Sequence, residues 1–143
     1  MKEKNLLVSG AIVFKKSGGK ITWFIVRQGK EAGWEIPKTN VRKGESSVRA
    51  ALRLTSEQGG IRAKVLEEVG RAGGVATING NVVPLRYLYY LMVHKDSSDE
   101  ALGFSESEWL DYKTASRRLS SKRERLMLKE AKQMVEKLEK AKN

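Results

Sequence analysis

Alternating apolar and polar positions near the start of the chain predict two paired strands. Leu6–Lys15 is a short apolar run, and Ile21–Arg27 alternates β-branched and aromatic residues with polar ones. The intervening Lys16–Gly19 is rich in turn-forming residues. Two such segments around a glycine-rich turn are typical of a β-hairpin. Trp34–Pro37 then predicts a short extended piece, because proline interrupts regular structure there.

A helical period follows in the middle of the chain. Ser46 or Ser47 can cap a helix that runs to about Gln58, and Gly59-Gly60 can end it. Spacings of three and four residues predict a buried stripe made of Val48, Ala51, Leu52 and Thr55. Leu54 lies outside this stripe and Glu57 lies opposite it. We therefore expect the core not to require an apolar residue at position 54.

A second hairpin is predicted after the helix. Its arms are Ala63–Ile78 and Val82–Val93, and Asn79-Gly80 joins them. This dipeptide is the strongest short signal for a tight hairpin turn. Gly73-Gly74 interrupts the first arm, which predicts a bulge or a break at that point.

The end of the chain predicts a strand followed by a basic helix. Glu108–Tyr112 is compatible with a short last strand. Ser121 and Glu124 have the spacing of a capping box, which predicts a helix over about 121–141. Its apolar face would consist of Leu128, Ala131, Val135 and Leu138. This order of elements predicts one domain over residues 1–143 with an α/β fold, namely an α/β/α sandwich around a mixed β-sheet.

The charge balance favours anionic partners. The 143 residues include 28 Lys+Arg and 17 Asp+Glu, a formal net charge of +11. Residues 113–143 carry 11 basic and 4 acidic side chains and so hold most of the excess. Polyphosphates, nucleic acids and membrane surfaces are the partner classes that such a balance suggests.

Two further features of the composition narrow the function and the compartment. The absence of cysteine excludes disulfides, thiol catalysis and cysteine metal sites, and it fits a cytoplasmic protein. No segment has the length of a membrane span, so we expect no membrane partner.

The most informative segment is GWEIPKTNVRKGESSVRAALRLTSEQGGI, residues 33–61. Its part from 39 to 61, here called the box segment, resembles the Nudix box. That pattern is Gly, five residues, Glu, seven residues, then Arg-Glu-apolar-x-Glu-Glu-x-Gly-apolar. The positions that match are Glu45, Arg53, Glu57 and Gly60. The lead-in Trp34–Lys38, the first strand and the late Glu108-Trp109-Leu110 are similar to Nudix hydrolases of diadenosine polyphosphates. The resemblance covers about residues 6–138.

This resemblance implies a metal-dependent hydrolase of compounds linked to a nucleoside diphosphate. In the family, carboxylates on one helix face hold Mg²⁺ or Mn²⁺, which bind the diphosphate and activate a water. The implied metal ligands are Glu57, Glu45 and the backbone of Thr39, with Glu100 or Glu106 assisting. Glu57 and Arg53 are the implied catalytic residues. The simpler alternatives are a solvated Glu57, a helix-capping Glu45 and a loop-bracing Arg53.

The box segment departs from the pattern at three positions. Thr39 replaces the first glycine, Leu54 replaces the glutamate after the arginine, and Gln58 replaces the second glutamate of the Glu-Glu pair. An apolar side chain and a neutral amide therefore stand where two carboxylates are expected. We predict that hydrolysis is weak or lost.

Candidate substrate contacts come from basic and aromatic residues near the box segment. Arg27, Lys38 and Arg42 are candidates to bind phosphates, although loop cations are often only solvated. Tyr87 and Tyr89 alternate onto one face of a strand and are candidates to stack on a purine, with core packing as the alternative.

A second reading of the whole chain keeps the fold without the chemistry. The protein would then be a nucleotide- or RNA-binding module, and the basic C-terminal region would contact the polyanion. The alternative for that region is the solvated face of an amphipathic helix.

Overall fold

The first strands follow the predicted pattern. The computed structural model describes residues 6–98 and 103–141. Strands β1 (Leu6–Ser17) and β2 (Lys20–Arg27) form an antiparallel hairpin. Gly18 and Gly19 occupy its turn with φ of +56° and +82°, a region that glycine enters without a steric penalty.

The remaining elements complete one mixed sheet between helices. They are β3 (Lys38–Asn40), α1 (Ser47–Arg53), β4 (Ile61–Ile78), β5 (Asn81–Ser97), β6 (Glu106–Leu110), α2 (Tyr112–Arg118) and α3 (Lys122–Ala141). The strand order is β4-β5-β1-β2-β6, with β3 paired to β1. Strands β1 and β5 are parallel, and the other named pairs are antiparallel. The predicted α/β fold with a mixed sheet is confirmed.

Two hydrophobic cores cover the opposite faces of the sheet. On one face, Ile12, Tyr89 and Leu91 pack with side chains from α2 and α3 such as Ala115 and Leu128. On the other face, Val13, Phe24, Tyr90 and Met92 pack with Ala51 and Leu54. Helix α1 therefore forms one outer layer, and α2 and α3 form the other, as in a sandwich.

The helix in the box segment is not a regular α-helix to its end. After Arg53 it continues as a π-helical turn, Leu54–Gln58, in which the Gly59 amide donates to the Leu54 carbonyl at 3.2 Å. Gly60 follows with φ of +62°, which ends the helix as predicted. A π-turn inserts an extra residue into the helical repeat and so rotates the residues that follow.

The predicted buried stripe of this helix is partly wrong. Val48 and Leu52 are each 37% exposed, whereas Leu54 is completely buried. Ala50 and Thr55 are buried as well. The expectation that the core does not require an apolar residue at position 54 is therefore incorrect, because Leu54 is itself part of the core on the α1 face.

The second hairpin is longer than predicted and its turn is confirmed. Asn79 and Gly80 have φ of +52° and +79°, as a tight hairpin turn requires. The bulge or break expected at Gly73-Gly74 does not occur, because both residues pair with β5 in regular register. The irregularities lie earlier in β4, between Arg62 and Gly70.

The C-terminal region contains one helix that the sequence analysis missed. Asp111 caps α2 by accepting a hydrogen bond from the Thr114 amide at 2.8 Å. Helix α3 has the predicted bounds, and the Glu124 amide donates to the Ser121 hydroxyl at 3.3 Å. The Glu124 carboxylate does not complete a capping box, because it is buried and binds residues from other elements. No helix in the described part of the chain is long and apolar enough to cross a membrane.

Candidate functional site

The box segment enters the sheet where β1 and β2 separate. β1 pairs with β2 around Phe14 and with β3 around Ser9. The chain between β2 and β3 fills the gap, since the Ala11 amide donates to the Pro37 carbonyl at 3.0 Å. Thr39 lies opposite Ser9 in this pairing and needs no positive φ. The candidate site is therefore built at the N-terminal end of β1.

An ion pair between Glu45 and Arg53 braces the loop before α1. Arg53 donates to both carboxylate oxygens of Glu45 at 2.8 and 2.9 Å, and to the Asn40 carbonyl at 3.0 Å. The Arg42 amide also donates to Glu45 at 3.0 Å. The hydrogen bonds from Arg53 lower the pKa of Glu45 to about 2. This arrangement favours the loop-bracing alternative for Arg53 over a catalytic role. Glu45 takes part in the same contact and does not cap the helix, because Ser46 is the N-cap of α1.

Glu57 differs from Glu45 because its carboxylate is exposed and has no hydrogen-bond partner among the described residues. A hard divalent cation needs several oxygen ligands. Within residues 6–98 and 103–141, no group of three or more His, Asp or Glu side chains could hold a metal ion. The described residues therefore do not fit the metal site that the box pattern implies.

Gln58 and Leu54 are held in ways that differ from each other. The Gly103 amide donates to the Gln58 carbonyl at 3.0 Å, and Gln28 donates to the Gly103 carbonyl at 3.0 Å. A side chain on Gly103 would meet the Gln58 Cβ at 2.4 Å, so the loop passes directly over Gln58. Leu54, in contrast, points into the core. Only position 58 could receive a carboxylate without burying it in apolar surroundings.

The ammonium group of Lys38 forms its contacts with other residues of the protein. It lies 2.6 Å from Glu124, 2.9 Å from Glu35 and 2.9 Å from the Ile36 carbonyl. The side chain of Glu124 is 1% exposed and also accepts hydrogen bonds from the Ile36 amide at 2.9 Å and the Tyr89 hydroxyl at 2.8 Å. Lys38 is therefore committed to a buried cluster, which does not support the predicted phosphate contact.

The two candidate tyrosines have different environments. Tyr89 is completely buried, and burial together with the nearby Glu124 charge raises the pKa of its hydroxyl. Its ring is not available to a base, so the core-packing alternative holds for Tyr89. Tyr87 is partly exposed, and the Arg123 guanidinium lies 4.1 Å from its ring centroid. A base could stack on that face of Tyr87 only after Arg123 moves away.

Arg27 is engaged at the other edge of the sheet. It forms an ion pair with Glu106, which lowers the pKa of that carboxyl, and it lies over Trp34 with its guanidinium 4.8 Å from the ring centroid. Neither Arg27 nor Glu106 is thus free in the described structure. Arg42 has an exposed side chain and remains a candidate for phosphate. Glu100 lies outside the described residues.

A surface cavity of about 520 Å³ lies beside the hairpin base, and the sequence analysis did not identify it. It is lined by Leu7, Arg71, Ala72, Gly73, Arg86, Tyr87 and Leu88. The Val41 amide donates to the Leu7 carbonyl at 2.8 Å, so the cavity adjoins the box segment. Pairing of β4 with β5 brings Arg71 and Arg86 to this cavity. Of its lining residues, only Tyr87 was predicted from the sequence to contact a ligand.

Comparisons with known proteins agree with this architecture. A model of the NUDIX domain matches residues 4–131. A curated relative from Mycobacterium tuberculosis (strain CDC 1551 / Oshkosh), which carries the name mutator protein MutT4, is 31% identical over 108 residues. The match covers 74% of this chain and 44% of the relative, so the chain spans less than half of that protein's length.

Solved structures with the same fold include two hydrolases whose names state their substrates. An Ap4A hydrolase complex from C. elegans has a TM-score of 0.67 and 17% identity, with 91% of this chain and 97% of that chain covered. The dihydroneopterin triphosphate pyrophosphohydrolase of E. coli has a TM-score of 0.69 and 12% identity, with coverage of 85% and 91%. At these identities the likeness shows the fold alone.

Proposed function

The chain belongs to the Nudix family, and we propose that it binds a nucleoside diphosphate-linked compound but hydrolyses it weakly or not at all. Family membership supports a phosphorylated small-molecule ligand, since the structural neighbours include hydrolases of such compounds. The lead-in to the box segment resembles that of dinucleoside polyphosphate hydrolases, so these compounds are the ligand class that we expect. The reduced set of carboxylates in the box segment supports the second half of the proposal.

One observation supports the proposed loss of activity. Of the carboxylates in the box segment, Glu45 is bound by Arg53 and only Glu57 is free of hydrogen bonds to the described residues. Family members generally use divalent metal ions, and a single free carboxylate is a weak ligand set for Mg²⁺ or Mn²⁺. We therefore derive no catalytic step through a metal for this chain.

The cavity beside the box segment is the proposed ligand site. Its volume of about 520 Å³ is in the usual range for small-molecule sites. The Arg86 guanidinium is exposed and has no ion-pair partner among the described residues, so it can bind a phosphate. Arg42 in the box loop can bind a second phosphate, and Tyr87 offers an aromatic surface if the ligand displaces Arg123.

The RNA-binding alternative rests on the exposed cations of α3. Lys122, Lys129 and Lys137 are exposed on this helix. Other cations of the region are engaged within the protein: Arg125 donates to the Leu119 carbonyl at 2.7 Å and Arg118 pairs with Glu108. We rank the nucleotide ligand first for this reason. RNA binding would depend steeply on salt, because each phosphate contact releases counterions.

The test combines turnover and binding on one ligand panel. The panel contains dinucleoside polyphosphates, nucleotide sugars, nucleoside triphosphates and 5′-triphosphate RNA, each with Mg²⁺ or Mn²⁺. We expect calorimetry to detect binding of at least one nucleotide and expect Arg86→Ala to weaken it, while product release stays near background. Lys20→Ala, an exposed cation on the β1–β2 hairpin, is the matched control. Rapid metal-dependent turnover that Glu57→Gln abolishes would overturn the proposed loss of activity, and absence of any binding would overturn the ligand class.

A further inference from the structure

The long β4–β5 hairpin ends in a two-stranded segment of unusual composition. Residues 72–85, here called the distal ribbon, contain no charged side chain although 31% of the chain is charged. Val75 and Val82 are each 70% exposed in it, and Ile78 is 42% exposed. Val75 and Val82 lie on the same face, and neighbouring exposed apolar side chains can mark an interaction surface.

Strand β4 is an edge strand of the sheet. Within the described residues it pairs only with β5, so the polar backbone groups along its outer edge are open to another strand. Proteins usually protect such edges with bulges, charged side chains or covering elements.

The first half of β4 carries these protective features and the second half does not. Three register shifts fall between Arg62 and Gly70, and the charged side chains of β4 are Arg62, Lys64, Glu67, Glu68 and Arg71. Helix α3 also packs there, since a Cβ on Gly70 would lie 3.0 Å from the Met127 sulfur. From Arg71 to Ile78 the pairing with β5 is regular. The exposed edge is therefore open to pairing only in the distal ribbon.

We propose that the edge of β4 in the distal ribbon pairs, antiparallel and across a two-fold axis, with the same segment of a second copy of this chain. We take the partner to be a second copy because residues 72–78 carry no charge that would repel the same segment, and antiparallel pairing of two identical edges is self-complementary. The inference is independent of the proposed function.

The net charge of +11 does not oppose this contact directly. In a pairing centred on Val75, each Val75 faces its counterpart, and the two Arg71 side chains lie eight residues apart along the strands. At a rise of about 3.4 Å per residue they are separated by roughly 27 Å. This exceeds the Debye length of about 8 Å at physiological ionic strength, so their repulsion is screened.

The face on which the valines lie supports pairing as well. Val75 is opposite Pro84 and Thr77 is opposite Val82, so both valines project from the same face of the ribbon. Edge pairing extends this apolar face across two copies. The position of each valine relative to the new contact differs, however, because Val75 is on the edge strand and Val82 is on the inner strand. This difference provides a matched pair of variants.

The experiment is sedimentation velocity over a wide concentration range on the full chain. We expect wild-type protein to self-associate. Val75→Lys places two ammonium groups opposite each other and should raise the dimer dissociation constant roughly tenfold or more. Val82→Lys, at an equally exposed valine one strand away, should have a clearly smaller effect. Both variants should melt at the wild-type temperature because the valines are exposed.

A charge exchange tests the register itself. An equimolar mixture of Val75→Lys and Val75→Glu proteins should associate more tightly than either variant does alone, because the opposite charges face each other across the contact. A wild-type protein that remains monomeric at all concentrations would overturn the second copy as partner. Equal weakening by Val75→Lys and Val82→Lys, or failure of the mixture to associate, would overturn the edge pairing.

Discussion

The buried Glu124 carboxylate offers the sharpest prediction about stability. It connects α3 to the chain that leads into the box segment, through Ile36 and Lys38, and to β5 through Tyr89. We expect Glu124→Leu to leave the Ile36 amide and the Tyr89 hydroxyl as buried donors without their acceptor. Lys38 would keep Glu35 and the Ile36 carbonyl.

The expected loss of stability in Glu124→Leu follows from these contacts. Each orphaned buried donor costs about 1–3 kcal/mol, and removal of one partner from a buried ion pair typically costs about 3–5 kcal/mol. We predict a loss of about 3–5 kcal/mol in the free energy of unfolding. For a domain of this length, that corresponds to a decrease in Tm of roughly 10–15 °C.

The loss in the free energy of unfolding can be measured by chemical and thermal denaturation of the variants in a double-mutant cycle. Lys38→Met with Glu124→Leu removes both charges, so the double variant should recover part of the loss and give a coupling of about 1–3 kcal/mol. Glu136→Gln is the control on the same helix, since its exposed contact with Lys132 is 3.7 Å long. A Glu124→Leu protein no less stable than this control would show that the buried contacts of Glu124 do not stabilise the fold.

Three further predictions concern the box segment and the sheet beside it. Leu54→Glu should unfold or strongly destabilise the protein without restoring turnover, because Leu54 is completely buried. Circular dichroism and product-release assays would measure folding and turnover, and a variant that is both folded and active would contradict this prediction. The pKa of Glu45 is lowered from 4.5 to about 2, so its pairing with Arg53 stabilises the fold above the unfolded pKa and this stabilisation is lost as the pH falls toward 2. Glu45→Gln should therefore flatten the decrease of Tm between these pH values, and an unchanged slope would be inconsistent with the pairing. Gly10→Ala should lower Tm, since its Cβ would lie 2.6 Å from the Tyr89 ring, whereas unchanged melting would show that the ring can move.

Local patterns were enough to predict most of the fold. Alternation and turn residues located the two hairpins, and the Asn79-Gly80 turn has the positive φ values that its sequence requires. The start of α3 was predicted from Ser121, which accepts a hydrogen bond from the Glu124 amide, and Leu128, Ala131 and Val135 of its predicted apolar face are buried. These features depend on neighbours within a few residues, which a sequence displays directly.

The errors arise where distant residues decide the outcome. The stripe predicted for the box helix was placed on the wrong face, because Ala50, Ala51 and Leu54 are buried at helical spacing whereas Val48 and Leu52 are each 37% exposed. Packing against the sheet selects the buried face, and helical spacing alone does not indicate it. Ser121 and Glu124 fit a capping box locally, yet the Glu124 carboxylate binds residues 36, 38 and 89. Nothing near position 124 in the sequence indicates those partners.

The candidate site was predictable only in part. The resemblance of the box segment identified Glu45 and Arg53, and the structure places them in contact. It could not indicate that Lys38 would be committed to Glu124, nor that Arg71 and Arg86 would line one cavity. Both outcomes depend on strand register and helix docking, which bring together residues far apart in the chain.

Titration with Mn²⁺, followed by electron paramagnetic resonance, measures whether the box segment holds a complete metal site. We predict no tight site in the wild-type protein, a gain of affinity in Gln58→Glu, and no gain in Glu67→Gln, a control at an exposed glutamate of β4. The added carboxylate at position 58 would stand next to Glu57 and increase the ligand set. A tight Mn²⁺ site in the wild-type protein that Glu57→Gln removes would contradict the claim that the metal site is incomplete.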